Sequence, residues 1–189
     1  MHGNSQLRYY NRDYIYFITT NTYARFPFFT DDTICKLFIE ELNLCKQVKQ
    51  FKLYAFNILH DHVHLLLRPC EKYNVSQVMK SLKENFSRDV NRIIVPGIYR
   101  DNSSASETST SRLRINTFIK MFSNSSLFCN LPKFKWQRSF HDHIIRDEED
   151  FGSHYHYTVY NHIKHKYSKE HTYTSLSYPK LVDIVSEEF

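Results

Sequence analysis

Glycine is scarce in this chain, 3 in 189 residues, and no GxGxxG run or GxxxxGK run ending in Ser or Thr occurs. A glycine-rich loop that wraps its backbone around a nucleotide phosphate is therefore excluded. The four cysteines (Cys35, Cys45, Cys70, Cys129) form no C-x-x-C pair and follow no secretory signal. Zinc-ribbon and disulfide-framework readings fall away, and a reducing, cytoplasmic setting is expected. Cys35 and Cys45 lie in a helical pattern and read as small core residues. No stretch approaches the roughly 18 apolar residues a membrane span needs, so a soluble protein with no membrane partner is expected. Internal repeats are absent.

Aromatic residues and histidine are plentiful: Tyr 14, Phe 15 and His 11. Lys+Arg 25 against Asp+Glu 20 gives a formal charge of +5, which suits a polyanionic partner without establishing one, since many soluble domains are as basic. The length fits one domain with an extension. We read that domain as residues 1–170, with an insertion at about 97–132 and a C-terminal tail at 171–189.

β-Branched and aromatic residues from Tyr14 to Thr20 predict a strand. Thr30-Asp31-Asp32 supplies helix-cap chemistry. Ile34, Leu37, Phe38, Leu42, Cys45 and Val48 follow at three- and four-residue spacing, which predicts a helix to about Gln50. Leu53–Leu59 and His62–Arg68 read as strands, joined by a turn at His60-Asp61 short enough for an antiparallel hairpin. Ser76 to Val95 has helical periodicity and stops at Pro96-Gly97. Asp101–Ser111 is a low-complexity loop or linker. Residues 112–130 carry no clear pattern and are assigned some helix. Lys133–Arg138 reads as a short fourth strand, and Asp147 to about Lys166 as a last helix opened by carboxylates that suit a helix N-terminus. The expected architecture is α+β: a ferredoxin-like, RRM-like β-α-β-β-α-β antiparallel sheet with an added C-terminal helix. Many functions share that plan, so function has to be read from a site.

Alternate side chains on a strand share a face, so His62 and His64 present both imidazoles on one side while Val63 points to the other. Two histidines so spaced are commonly surface residues. Here Leu65-Leu66-Leu67 marks a buried strand, where imidazoles left unbonded are costly. Imidazole pairs suit Mn, Zn, Ni or Co. Mg is a poorer match, but serves where a substrate phosphate and water complete its shell. His60 shares this parity and is a spare ligand if the strand begins early; a turn there removes it.

The last helix carries Tyr155, Tyr157 and Tyr160. Aromatics at helical spacing are usually core, but tyrosine also serves as a covalent nucleophile. Residues four apart share a helix face, so Tyr157 and Asn161 stand together, able to offer a nucleophile and an amide oxygen to one ion. Tyr160 is rotated well away, and Tyr155 faces nearly opposite.

His62-Val63-His64 followed by three leucines resembles the His-hydrophobic-His motif of single-tyrosine, HUH-class transposases of insertion sequences. The block from Trp136 to Phe151 is closer still to their REP-associated relatives, which read W-Q-x-x-F-x-x-H-x-I-R, then an acidic stretch, then Y-I-x-x-N-P-V-K-H-G. Here that helix reads Tyr157-Thr158-Val159-Tyr160-Asn161-His162-Ile163-Lys164-His165-Lys166. The resemblance covers roughly Tyr14 to Lys166 outside the insertion. It implies His62, His64 and Asn161 as ligands of a divalent ion, Mg or Mn, and Tyr157 as nucleophile. Trp136, Gln137, Phe140, His143 and Arg146 match the block without an assigned role, although Arg146 suits a structural one. The chain departs from the pattern at His60-Asp61 (Pro-Asn in the family), His162 (Pro) and Lys166 (Gly).

The resemblance implies metal-dependent cleavage and strand transfer of hairpin-bearing single-stranded DNA through a 5′-phosphotyrosine. The setting would be transposition or processing of repeat elements, and a homodimer is an allowed assembly. Lys80, Lys83, Arg88, Arg92, Arg138 and Arg146 are candidate DNA contacts, and equally an ordinary solvated face. Two rival readings stand beside it. One is a non-catalytic nucleic-acid-binding module, which leaves the histidines idle and lacks the RNP-type pattern of RNA-recognition domains. The other is an HUH endonuclease of the replication-initiator type.

Overall fold

A computed structural model describes residues 14–94, 109–123, 131–167 and 171–184. In chain order its elements are β1 (Tyr16–Asn21), α1 (Asp32–Lys49), β2 (Lys52–Leu59), β3 (His62–Arg68), α2 (Val75–Ile94), α3 (Ser109–Ser123), β4 (His141–Ile144) and α4 (Glu148–Lys164). The sheet runs β2-β3-β1-β4 with every neighbouring pair antiparallel. This is the ferredoxin-like order expected from the sequence, with α4 as the appended helix.

Alternation along the strands sorts the residues into two layers. Val63, Leu65 and Leu67 of β3 enter the large core beneath α1 and α2, together with Phe38, Leu82 and Phe86. Leu66 enters a smaller core with Ala55, Phe151 and Val159, beneath α4. His62 and His64 share the parity of Leu66, so the sheet delivers both imidazoles to the α4 side. α1 starts on Asp31, whose carboxylate accepts from the Thr33 and Ile34 amides, a standard N-cap. α4 starts on Asp147, which accepts from the Asp150 amide, with three further acids in its first turn.

The fourth strand is not where the periodicity put it. Within Lys133–Arg138, Trp136 makes a single bridge to Thr22, and the strand itself is His141–Ile144, paired to β1. The alternation of Phe134 and Trp136 is real, since both rings pack into the aromatic core against Phe86. The backbone there bonds a side chain instead of a ladder: Phe134 N donates to Asn91 Oδ1 (2.7 Å), and Asn91 Nδ2 donates back to Phe134 O (3.0 Å). His141–Ile144 is a short edge strand of mixed polarity, which leaves no apolar run to read.

The last residues of the expected linker at Asp101–Ser111 open α3, while 101–108 lie outside the described residues. α3 docks through Arg114, which bonds Glu41 of α1 and Asp89 of α2, both buried. Residues 171–184 follow β2: Ile58 N donates to Tyr173 O, and Lys46 bonds the Asp183 carboxylate. No helix among the described residues is long and apolar enough to cross a membrane.

Glycine scarcity has a visible cost at the end of α4. Lys166 adopts φ 58°, a left-handed conformation that a side chain disfavours and glycine accepts freely. Lys166→Gly is therefore expected to stabilise the fold by about 0.5–1 kcal/mol in urea denaturation. A destabilised variant would mean that the Lys166 side chain makes a compensating contact.

Candidate metal and nucleophile site

The two imidazoles of β3 are buried, His62 at 7% and His64 at 3% exposure, with ring centroids 4.9 Å apart. Each is held at Nδ1 by a neighbour, and His64 at Nε2 as well. His62 Nδ1 donates to Asp61 Oδ1 at 2.5 Å. His64 Nδ1 lies 2.8 Å from Thr19 Oγ1, across the β1–β3 ladder, and its Nε2 lies 2.8 Å from Asn161 Nδ2. With the Asn161 amide donating to Nε2, the single ring proton sits on Nδ1 and is donated to Thr19. Burial, reinforced by His62, lowers the His64 pKa to about 3, so this ring is neutral. Burial likewise lowers His62, opposed by its bond to Asp61. Neutral rings held at Nδ1 suit a metal site, where His64 Nε2 would exchange its bond from Asn161 Nδ2 for an ion.

α4 completes the cluster. Asn161 is 2% exposed, and its Oδ1 is buried without a hydrogen-bond partner. A half-turn of the amide would bring that oxygen beside His64 Nε2. An orphaned oxygen next to two neutral imidazoles is a donor set that fits a divalent ion. Tyr157, one turn earlier on the same face, is 38% exposed and reachable by a substrate. Its ring centroid lies 5.4 Å from His64 and 5.8 Å from Phe17. Tyr155 packs toward the small core, and Tyr160 packs tilted against His156. Among the three helix tyrosines, these ring contacts bring Tyr157 to the histidine pair.

Thr19, Phe17 and His165 were not singled out from the sequence. Phe17 and Thr19 share strand parity with Asn21, which pairs with His62, so alternation on β1 carried the signal. His165 follows Tyr157 and Asn161 at the same four-residue step, and its ring lies 5.6 Å from His62. His60 falls in the turn and is no spare ligand: its amide donates to Tyr167 Oη (2.6 Å) and its ring packs tilted against Tyr167, 4.1 Å between centroids. The departures at His60, His162 and Lys166 lie around one region. His60, Lys166 and His171 line a cavity of about 540 Å³ beside His165, and His162 packs tilted against His171, 5.1 Å between centroids.

The candidate DNA cations divide by position. Lys80, Lys83, Arg88 and Arg92 belong to α2, across the sheet from the histidine pair. Lys83 donates to the Gln137 and Ser139 carbonyls, while Arg88 and Arg92 face Asp89. Lys80 is exposed beside Glu84, Arg138 is exposed, and Arg146 sits over Asp150 at the start of α4. Gln137 joins the end of β1 by two bonds to Asn21, and Trp136 and Phe140 are core, so much of the W-Q block is architectural.

Residues 11–97 match a family model described as transposase, IS200-like. Over 188 residues, 95% of this chain and 92% of the relative, the sequence is 27% identical to a Haemophilus influenzae protein described as a REP-associated tyrosine transposase. The fold is similar to that of a solved REP-associated tyrosine transposase bound to a REP hairpin. The TM-score is 0.62 at 19% identity, covering 92% of this chain and 82% of that one.

His171 gives the region a pH signature. Burial, with His162 nearby, lowers its pKa from 6.5 to about 4. Because the folded value is depressed, its contribution to stability is full above about pH 6.5 and is lost as the pH falls through about 4. Between pH 7 and 5 the urea midpoint of the wild type should fall further than that of His171→Asn; parallel curves would contradict the assignment.

Proposed function

We propose that this chain, which is similar to IS200-like and REP-associated tyrosine transposases, cleaves and rejoins hairpin-bearing single-stranded DNA, with Tyr157 as nucleophile. The observation that carries the reading is the Asn161 amide, with its unpartnered oxygen, against His64 one helical turn from Tyr157. His62, His64 and Asn161 would hold a divalent ion, Mg or Mn. When bound, such an ion supplies charge stabilisation and orientation to the scissile phosphate.

The residues of the chain do the rest. Asp61 and Thr19 hold the two rings through Nδ1, so that Nε2 of each would be the ligand atom. α4 carries Tyr157 Oη toward the phosphorus at a partly open position. The phenol oxygen forms a bond to phosphorus while the bond from phosphorus to the 3′-oxygen breaks. The phenolic proton passes to solvent, and the departing oxygen takes up a proton to become a 3′-hydroxyl. The 5′ end stays on Tyr157 as a phosphotyrosine. Attack by a 3′-hydroxyl on that ester reverses the exchange, so rejoining needs no nucleotide triphosphate, in keeping with the missing phosphate-cradling motifs. The hairpin bound by the solved relative supports a folded stem as the recognition element. Arg138 and Arg146, exposed on the segment leading into α4, are suited to its backbone phosphates.

Incubation with labelled hairpin oligonucleotides and Mn or Mg should give a denaturation-resistant protein–DNA adduct. The adduct should fall roughly a thousandfold or more in Tyr157→Phe and persist in Tyr155→Phe and Tyr160→Phe. An undiminished adduct in Tyr157→Phe would refute the nucleophile. Asp61→Ala should weaken Mn binding by about 10–100-fold while leaving Tyr157 in place, measured by calorimetric titration.

A further inference from the structure

On the same face of the sheet as the histidine pair, β4 and the first turns of α4 gather a second group: His143, Asp150 and His154. His143 pairs across the ladder with Phe17. Its Nε2 lies 2.9 Å from Asp150 Oδ2, and His154 Nδ1 lies 2.9 Å from both Asp150 Oδ1 and the Asp150 carbonyl oxygen. The two imidazoles stack nearly parallel, 4.5 Å between centroids and 15° between planes. One carboxylate thus stands between two ring nitrogens, and one donor atom from each residue lies within 4.8 Å of the others. None of the three belongs to the site proposed for the scissile phosphate. Phe17 stands between the two groups, its ring 4.9 Å from His154 and 5.3 Å from His64.

Helix capping does not require this arrangement. The Asp150 amide is already satisfied by Asp147 Oδ1 at 2.8 Å, so α4 has its cap without either histidine. Two rings that share one divalent ion have a reason to lie side by side and converge on one carboxylate. The carboxylate is itself oriented from behind: Arg146 N donates to Asp150 Oδ2 at 3.1 Å, and Arg146 Nε lies 3.5 Å away. Such outer bonds accompany metal-ligating carboxylates.

We propose that His143, Asp150 and His154 form a second metal site, for a transition-metal ion of the zinc class. Two imidazoles and one carboxylate are a three-ligand set with room for a fourth, water-filled position, and they favour zinc, cobalt or nickel over magnesium or calcium. The three side chains are 35%, 14% and 25% exposed, enough for an ion to enter. Its effect is to bond β4 to the start of α4. His154 stands three residues before Tyr157, so the ion fixes the root of the helix that carries the phenol.

The test uses the full chain carrying His62→Ala and His64→Ala, which removes the other imidazole pair and leaves this cluster whole. Titration with Co should give one equivalent bound with visible ligand-field absorption. Zn at about a hundredfold over its dissociation constant should raise the melting temperature by about 5 °C or more. Both responses should vanish when His143→Ala and His154→Ala are added, with the far-ultraviolet circular dichroism unchanged. A folded His62→Ala/His64→Ala protein that binds neither ion, or binding that survives loss of His143 and His154, would overturn the proposal. Neither result depends on Tyr157 being the nucleophile.

Discussion

The contact on which the rest depends is the one between His64 on β3 and Asn161 on α4. An imidazole buried in a sheet gives up its solvation and needs bonds in return, and His64 has one at each nitrogen. β1 supplies Thr19 on one side and α4 supplies Asn161 on the other, so the ring ties two strands and a helix into one object. A single register sets this geometry. Thr19 pairs with His64 and Asn21 with His62, and a one-residue slip would carry both rings into the apolar core beneath α1 and α2. Asn57 makes the same link from β2, pairing with His64 in the ladder and donating to the Thr158 carbonyl of α4. The site is therefore a consequence of how α4 is seated on the sheet.

Legibility followed the strength of each pattern. β3 could be read to the residue because His62–Arg68 is bounded by a turn and a proline, and because alternation in a sheet is strict. The two long helices could be read from their spacing, and Tyr157 with Asn161 from the four-residue step. β4 was misplaced because Phe134 and Trp136 alternate as a strand would, while the backbone between them bonds Asn91, a partner 43 residues away that no local pattern encodes. Thr19 and Asp61 went unassigned for a related reason. Their importance lies in which ring nitrogen they hold, and that depends on pairing between strands that are distant in sequence.

The departures from the family pattern acquire physical content in the structure. Asp61 is more than a missing asparagine: its carboxylate holds His62 Nδ1. His60 and His162 make ring contacts with Tyr167 and His171, so these substitutions are packed together rather than scattered. Lys166 keeps the left-handed turn that a glycine would take without strain. None of these positions displaces His62, His64, Asn161 or Tyr157.

The most direct measurement is anomalous diffraction from crystals of the protein soaked in Mn. The account predicts an anomalous peak within coordination distance of His62, His64 and Asn161, with the Asn161 side chain turned so that Oδ1 meets the ion. Crystals in which the His62–His64 face stays empty at saturating Mn, with Nδ2 still against His64, would contradict it.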